Sequence, residues 1–236
     1  MTAPYTPGPR SRIKRNPKRG SYDRATVHAI LDSAMLAHVA YTIDGLPYCT
    51  PTIHWRDGET LYWHGSSASR MLRAQGPGLP VCVTVTHLDG LVLARSAFNH
   101  SANFRCAMVF GKAHLVDDAA EKERALYAVT DRLFPGRNAE LRPMTTQEIK
   151  ATSVVRMEIE EASAKVRGVN VGDDEEDGIW PVWAGVIPVT TVIGHPEPSP
   201  VLPDTIPLPA HLSAFAAGRA LDIALQDSFT RWQEES

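Results

Sequence analysis

Two Asp-Gly pairs, Asp44-Gly45 and Asp57-Gly58, constrain this chain more than any other feature. Asp-Gly supplies the positive φ angles that tight β-hairpin turns need, and each pair sits between strand-like runs. HVAYTI precedes the first pair, LPYCTPTIHWR lies between the two, and ETLYWHG follows the second. Three antiparallel strands in sequence are the expectation. Downstream, LPVCVTVTHLDGLVLARSAF and FRCAMVFGKAHLV supply two or three more strands. SVVRMEIEEASAKVRG returns as a long strand in which Val155, Met157 and Ile159 alternate with charged neighbours, and WPVWAGVIPVTTVIG is a further apolar strand. Hairpin turns and short spacings point to a mostly antiparallel barrel decorated by helices, not to alternating βαβ units.

The helices are few. Asp23 caps one that carries Val27, Ile30, Leu31 and Met35 on a single face; a short one opens near Ser67 and stops at Gly76-Pro77-Gly78. EKERALYAVTDRLF and TTQEIKAT supply two more. Residues 1–20 read as a basic, proline-rich solvated arm on the surface of a domain spanning 21–194. Residues 195–209, HPEPSPVLPDTIPLP, are a stiff linker to a C-terminal amphipathic helix over 210–236.

At 236 residues the chain buries a substantial core without disulfides or metal. Its 24 basic and 27 acidic residues leave a net charge of −3, which implies no general affinity for nucleic acid or an anionic membrane. Cys49, Cys82 and Cys106 are scattered, without CxxC pairing, in runs where a buried thiol is the ordinary reading. No stretch approaches the roughly 18 apolar residues of a membrane span. A soluble cytoplasmic protein with a small-molecule partner is the expectation.

The chemistry concentrates in LYWHGSSASRML, residues 61–72, where a bulky strand turns into a small polar junction and then a helix. A helix start offers free backbone N–H groups, so Ser66, Ser67, Ser69 and Arg70 meet the description of a phosphate site. Plain N-capping by Ser67 is the alternative. There is no GxGxxG after a strand, no GxxxxGK[ST], no HExxH and no GxSxG, so Rossmann, P-loop, zincin and α/β-hydrolase readings lack support.

The order of these motifs resembles the pyridoxamine 5′-phosphate oxidase-like superfamily of FMN-binding split barrels, in particular its flavin-nucleotide-binding branch related to Nim-type nitroimidazole-resistance reductases. RNPKRGSYD, LPYCTPTIHW, LYWHGSSASRML, LDGLVLARSAFNHSANFRCAMVFGKA, the PGR at 135–137, ASAKVRG and WPVWAGVIPV carry the resemblance, from about residue 15 to 190. It implies a six-stranded Greek-key barrel that forms a homodimer with FMN at the interface. By position it puts the ribityl phosphate on His64, Gly65, Ser66, Ser69 and Arg70, and the isoalloxazine edge against Thr50, Pro51 and Thr52. Many family members carry a basic residue just after the Arg70 position, where this chain has Met71. A cation from elsewhere, such as Arg105, would then complete the charge.

ARSAFNHSANFR gathers Arg95, Ser96, Asn99, His100, Ser101, Asn103 and Arg105 between two apolar strands. It is either a hydrated hairpin loop or, as the resemblance implies, a segment reaching the partner subunit's flavin, with Asn103 and Arg105 as contacts. His64 is either a proton donor beside the flavin or a structural, hydrogen-bonded residue. His54, His64, His87 and His100 match no metal template, so no metal site is expected; haem, which some split barrels bind in place of flavin, is the minor alternative to FMN. Of Trp180 and Trp183, one is expected in the core, and Trp183 is expected beside the flavin.

The function implied is an FMN-dependent oxidoreductase acting on a small organic acceptor, with nitro-group reduction as its sharper form. A non-catalytic flavin-binding or sensory protein and a haem-binding split barrel are the competing readings. Oxidation of pyridoxamine phosphate itself fits less well, because the C-terminal third lacks paired basic residues for a second phosphate.

Overall fold

The computed structural model describes residues 3–235. Its strands are β1 (Gly20–Ser21), β2 (Leu36–Ile43), β3 (Leu46–Asp57), β4 (Thr60–Ser66), β5 (Pro77–Leu93), β6 (Ser101–Leu115), β7 (Thr152–Glu158), β8 (Glu161–Arg167) and β9 (Gly185–Pro188). Its α-helices are α1 (Arg24–Asp32), α2 (Arg70–Gln75), α3 (Ala119–Leu133), α4 (Thr146–Ala151) and α5 (Leu221–Glu235). Asp44 and Gly45 stand at φ 51° and 77°, so the first Asp-Gly pair forms the β2–β3 hairpin through left-handed backbone.

Six strands close into a ring in the order β2, β3, β4, β7, β6, β5, because β5 pairs with both β6 and β2; β8, β1 and β9 extend the sheet beyond the ring. The first three ring strands are hairpin-connected and β5 returns beside β2, which is the Greek-key order. This is the six-stranded antiparallel split barrel with short helices and a C-terminal helix that the sequence predicts. Alternate residues fill its interior: Val39 from β2, Leu61 and Trp63 from β4, Val83 and Val85 from β5, Val109 from β6 and Met157 from β7. Trp63 Nε1 donates to Gln75 Oε1 at 2.9 Å, so two buried polar groups satisfy each other and seat α2 on the barrel.

A second apolar layer lies outside, where Leu126, Val129 and Leu133 of α3 and Leu225 of α5 pack on Trp55 and Val154. A buried ionic node ties it to the barrel. Asp32, at the end of α1, accepts from Arg56 Nε at 3.1 Å, while Arg132 Nη2 donates to the Asp32 carbonyl at 2.7 Å. Both guanidiniums lie over the Phe229 ring of α5, at 4.8 and 4.4 Å.

Four expectations need correction. SVVRMEIEEASAKVRG is two strands, because the chain turns a corner after Glu158 where it crosses β6 at Gly111; a Cβ at Gly111 would come within 2.2 Å of the Glu158 carbonyl. The N-terminal arm is docked, not solvated: Tyr5 is buried in the core and donates to Glu59 at 2.6 Å, Arg10 pairs with Glu160 and Glu161, and β1 adds to the sheet beside β8. The C-terminal helix starts at Leu221, because Gly218 at φ 81° ends the irregular stretch that holds a single 3-10 turn over Ala210–Phe215. Finally, the thiols are not buried. Cys49 is exposed and Cys82 half-buried, flanking Ala40 on the outer face of β3, β2 and β5; Cys106 is also half-buried.

Candidate functional site

β3 pairs with β2 from Leu46 to Ile53 but meets β4 only from His54 to Asp57. The β4-side edge of Leu46–Ile53 is therefore open, and unpaired backbone N–H and C=O groups line it. Thr50, Pro51 and Thr52 lie on this edge. Beyond the point of divergence β4 runs on beside β7 to Ser66 and delivers the chain to α2. The Arg70 guanidinium, 4.8 Å from the Tyr48 ring centre, spans the split between the two strands.

What the strand offers the cleft is chiefly backbone. Thr50 and Thr52 stand opposite the buried Val39 and Ala37, so their side chains share the barrel's inner face; the Thr50 hydroxyl lies 3.0 Å from Tyr41 Oη and Thr52 Oγ1 donates to the Ile53 carbonyl at 3.3 Å. Pro51 is exposed on the other face.

At the junction, Ser67 N donates to the Ala151 carbonyl at 2.8 Å and Ser69 N to the Ser66 carbonyl at 2.8 Å. Ser67 does not cap the helix. Ser69 occupies the cap position without a side-chain capping bond, which leaves its hydroxyl uncommitted, while Ser66 Oγ accepts from Ala68 N at 3.2 Å. Gly65 allows this tight return: a Cβ there would sit 3.1 Å from Leu72 Cδ1. Arg70 is exposed and, among the described residues, has no carboxylate partner.

Met71 points into the barrel core, so the position after Arg70 cannot serve as a second cation. Arg73 is a second guanidinium beside the junction. It is exposed, also lacks a carboxylate partner among the described residues, and folds back to donate to the Ala68 carbonyl beside the junction. Sequence reasoning passed it over; the available signal was its i+3 spacing from Arg70, which puts both on one helix face. Arg105 is spent elsewhere: its guanidinium is held by Asp89 (Nε at 3.0 Å) and Asp222 (Nη2 at 2.8 Å).

His64 stands 5.8 Å from the Trp55 ring, with Nδ1 buried and unpartnered. Burial lowers its pKa, which disfavours the charged ring and so counts against the proton-donor reading. Asn103 is fully engaged within the chain, donating to the Val169 carbonyl at 3.0 Å and accepting from Arg167 Nη1 and Val169 N. Neither Trp180 (61% exposed) nor Trp183 (64%) belongs to the core, contrary to expectation for one of them. The structure thus sets Arg70, which follows Gly65, Ser66 and Ser69 at the junction, against Tyr48 on the same strand as Thr50, Pro51 and Thr52, while Asn103 and Arg105 are engaged with other partners within the chain and Trp183 lies exposed.

A split barrel whose opening is lined by a free strand edge and two unneutralised guanidiniums defines a class of protein. The pyridoxamine 5′-phosphate oxidase family model matches residues 23–166, more than half of the chain, and the chain belongs to that family. The flavocytochrome Anf3 from Azotobacter vinelandii is 45% identical, with 91% of this chain and 100% of that chain covered and a TM-score of 0.85. The FAD and heme binding protein from Mycobacterium smegmatis is 38% identical, with 86% and 98% covered and a TM-score of 0.81. No curated protein matches the chain.

Proposed function

We propose that this protein is a flavin-dependent redox protein that also carries haem and passes electrons from a reduced donor to a small acceptor. The observation that carries the reading is the 45% identity to a flavocytochrome across nearly the whole of both chains. The cleft supports the flavin half on independent grounds. Arg70 and Arg73, with the free Ser69 hydroxyl, suit a ribityl phosphate, and the open edge of β3 suits the hydrogen-bonding rim of an isoalloxazine.

FMN and FAD share that phosphate; the flavin proposed is FAD, in keeping with the 38% identical FAD and heme binding protein. Bound flavin would supply two-electron acceptance from the donor, and haem one-electron delivery to the acceptor. The chain's own part is to hold and orient: Arg70 and Arg73 anchor the phosphate and β3 fixes the ring edge. Pyridoxamine phosphate is not the proposed substrate. The two cations of the C-terminal segment, Arg219 and Arg231, are already paired with Asp227 and Glu235.

A homodimer is part of the proposal. Phe98 at the β5–β6 tip is 93% exposed, its neighbour Asn99 donates to Asp174 ahead of the exposed Trp180 and Trp183, and a second copy would cover this apolar surface. No helix of the described residues is long and apolar enough to cross a membrane. Denaturing the purified protein and chromatographing the released cofactors tests the reading: FAD with haem supports it, and a protein that neither retains nor takes up a flavin contradicts it.

A further inference from the structure

A cavity of about 790 Å³ lies between the barrel and the segment that leads into α5, and none of Thr50, Thr52, Ser69 and Arg70 lines it. Its floor comes from the end of α1, the start of β2 and the middle of β5; its roof comes from residues 189–191 and 220–225. Hydrogen bonds hold the roof together: Val192 and Ala220 form a β-bridge, and Leu221 N donates to the Thr191 carbonyl at 3.0 Å. The volume falls within the roughly 300 to 1,000 Å³ of small-molecule sites. Leu36, Leu88 and Ile223 on its wall stay 57%, 48% and 50% exposed, so apolar surface is left for a ligand to cover.

The polar lining is rich in acceptors. Arg105, the one Lys or Arg on the wall, lies between Asp89 and Asp222, each 2.8 Å from its Nη2, so two carboxylates face a single guanidinium. The three side chains are only 30% (Asp89), 27% (Asp222) and 33% (Arg105) exposed, which limits the screening of the excess negative charge. Burial opposes ionisation of Asp222, yet hydrogen bonds from Arg105 and from Ile223 N hold its pKa below the ordinary value, so that carboxylate is charged. His87 adds a further acceptor. Ser33 Oγ donates its only proton to the Ile30 carbonyl at 3.1 Å, so at 3.0 Å from His87 Nε2 it accepts the Nε2 proton, and Nδ1 keeps a lone pair with no partner among the described residues. Burial, and then the positive charge of Arg105, lower the His87 pKa, which disfavours the charged ring that would offset the carboxylates.

An anion meets repulsion on this wall, and a neutral ligand leaves its excess charge uncompensated. We propose that the cavity binds a small organic cation, with its apolar body against Met35, Leu36, Leu88 and Leu225 and its protonated amine against Asp89, Asp222 and His87 Nδ1. The three donors of a primary ammonium match those three acceptors, and hydrogen bonds to a carboxylate from a charged donor are stronger than neutral ones. The site goes beyond the flavin–haem reading, which assigns this cavity nothing, and does not rest on it. Its roof lies outside residues 23–166, the part matched by the family model, so the site belongs to this chain's C-terminal segment as much as to the barrel.

The test is calorimetric titration of the full chain with three probes of similar shape and different charge: phenethylamine, 2-phenylethanol and phenylacetate. Wild type prefers phenethylamine to 2-phenylethanol by about tenfold, the worth of charge-assisted over neutral hydrogen bonds, and shows no measurable binding of phenylacetate. Asp222→Asn removes the excess charge while Asp89 still holds Arg105, and it abolishes the preference for the amine over the alcohol. Asp89→Asn combined with Asp222→Asn frees the guanidinium and reverses the order, so that phenylacetate binds best. A preference is a ratio of affinities, so a roof loosened by substitution weakens all three probes without producing that reversal. Phenylacetate bound by wild type as tightly as phenethylamine, a preference that both variants leave unchanged, or binding of none of the three overturns the inference. The titration needs no flavin: a protein that lacks flavin and still selects the amine contradicts the proposed function alone.

Discussion

Replacing Asp32 by Asn keeps the shape of the side chain and removes the counter-charge for two buried guanidiniums. The Asp32, Arg56 and Arg132 side chains are only 5%, 6% and 2% exposed, so water cannot take over the lost interaction. Arg56 loses its paired contact with the carboxylate, and Arg132, 3.7 Å from Asp32 Oδ1, is left beside Arg56 over the same Phe229 ring. Breaking a buried pair by removing one partner costs about 3 to 5 kcal/mol, a large part of the 5 to 15 kcal/mol that holds a typical domain folded. Arg132 Nη1 also reaches the Leu225 carbonyl, so the damage falls on α5 first. Equilibrium urea unfolding followed by far-UV circular dichroism measures the loss, and amide hydrogen exchange along α5 in sub-denaturing urea reports on that helix. An Asp32→Asn protein within 1 kcal/mol of wild type would refute the view that this node anchors the C-terminal helix.

Arg70→Ala weakens flavin-nucleotide binding by about tenfold to a hundredfold, as loss of a charge-assisted hydrogen bond predicts, and Arg73→Ala does so by a smaller factor, while riboflavin binding is indifferent to both; fluorescence titration at fixed salt checks this, and equal affinities would remove the phosphate from the junction. Burial holds the His54 pKa down at about 4, against 6.5 unfolded, so the unfolded chain binds the extra proton between those values and stability falls as pH drops through that window, by about 3 kcal/mol in total. His54→Gln flattens the stability profile there, and an unaltered urea midpoint profile from pH 7 to 4 contradicts the assignment. Glu148, held down at about 2 by Arg142 and by the Thr145 capping box, keeps α4 capped above its ordinary range and releases it as pH falls towards 2; amide exchange at Glu148 follows the opening. Phe98→Asp, by placing charge on the exposed tip, shifts light-scattering mass from dimer to monomer without loss of secondary structure.

The hairpin β2–β3 was legible because Asp44-Gly45 encodes its turn locally, and the junction after β4 because small polar residues interrupt a bulky strand. Ring closure by β5 against both β2 and β6 was not: it depends on pairings between residues such as Val39 and Val83, which no local pattern specifies. Tyr5 escaped because a lone aromatic in a basic, proline-rich stretch carries no periodicity, yet its burial docks the whole arm. Arg73 was not legible because its place depends on the helix, which sends Met71 inward and returns Arg73 to the junction. The cavity around His87 could not be read at all, since α1, β5 and the segment before α5 meet only in the folded chain.

The most direct test of the account is the absorption spectrum of the protein as first purified, with flavin and haem quantified on the same sample. The account predicts flavin and Soret bands together, each cofactor stoichiometric with the chain, and loss of the flavin in Arg70→Ala without loss of the haem. A protein that shows neither band, and gains neither when supplied with FAD and hemin, would contradict it.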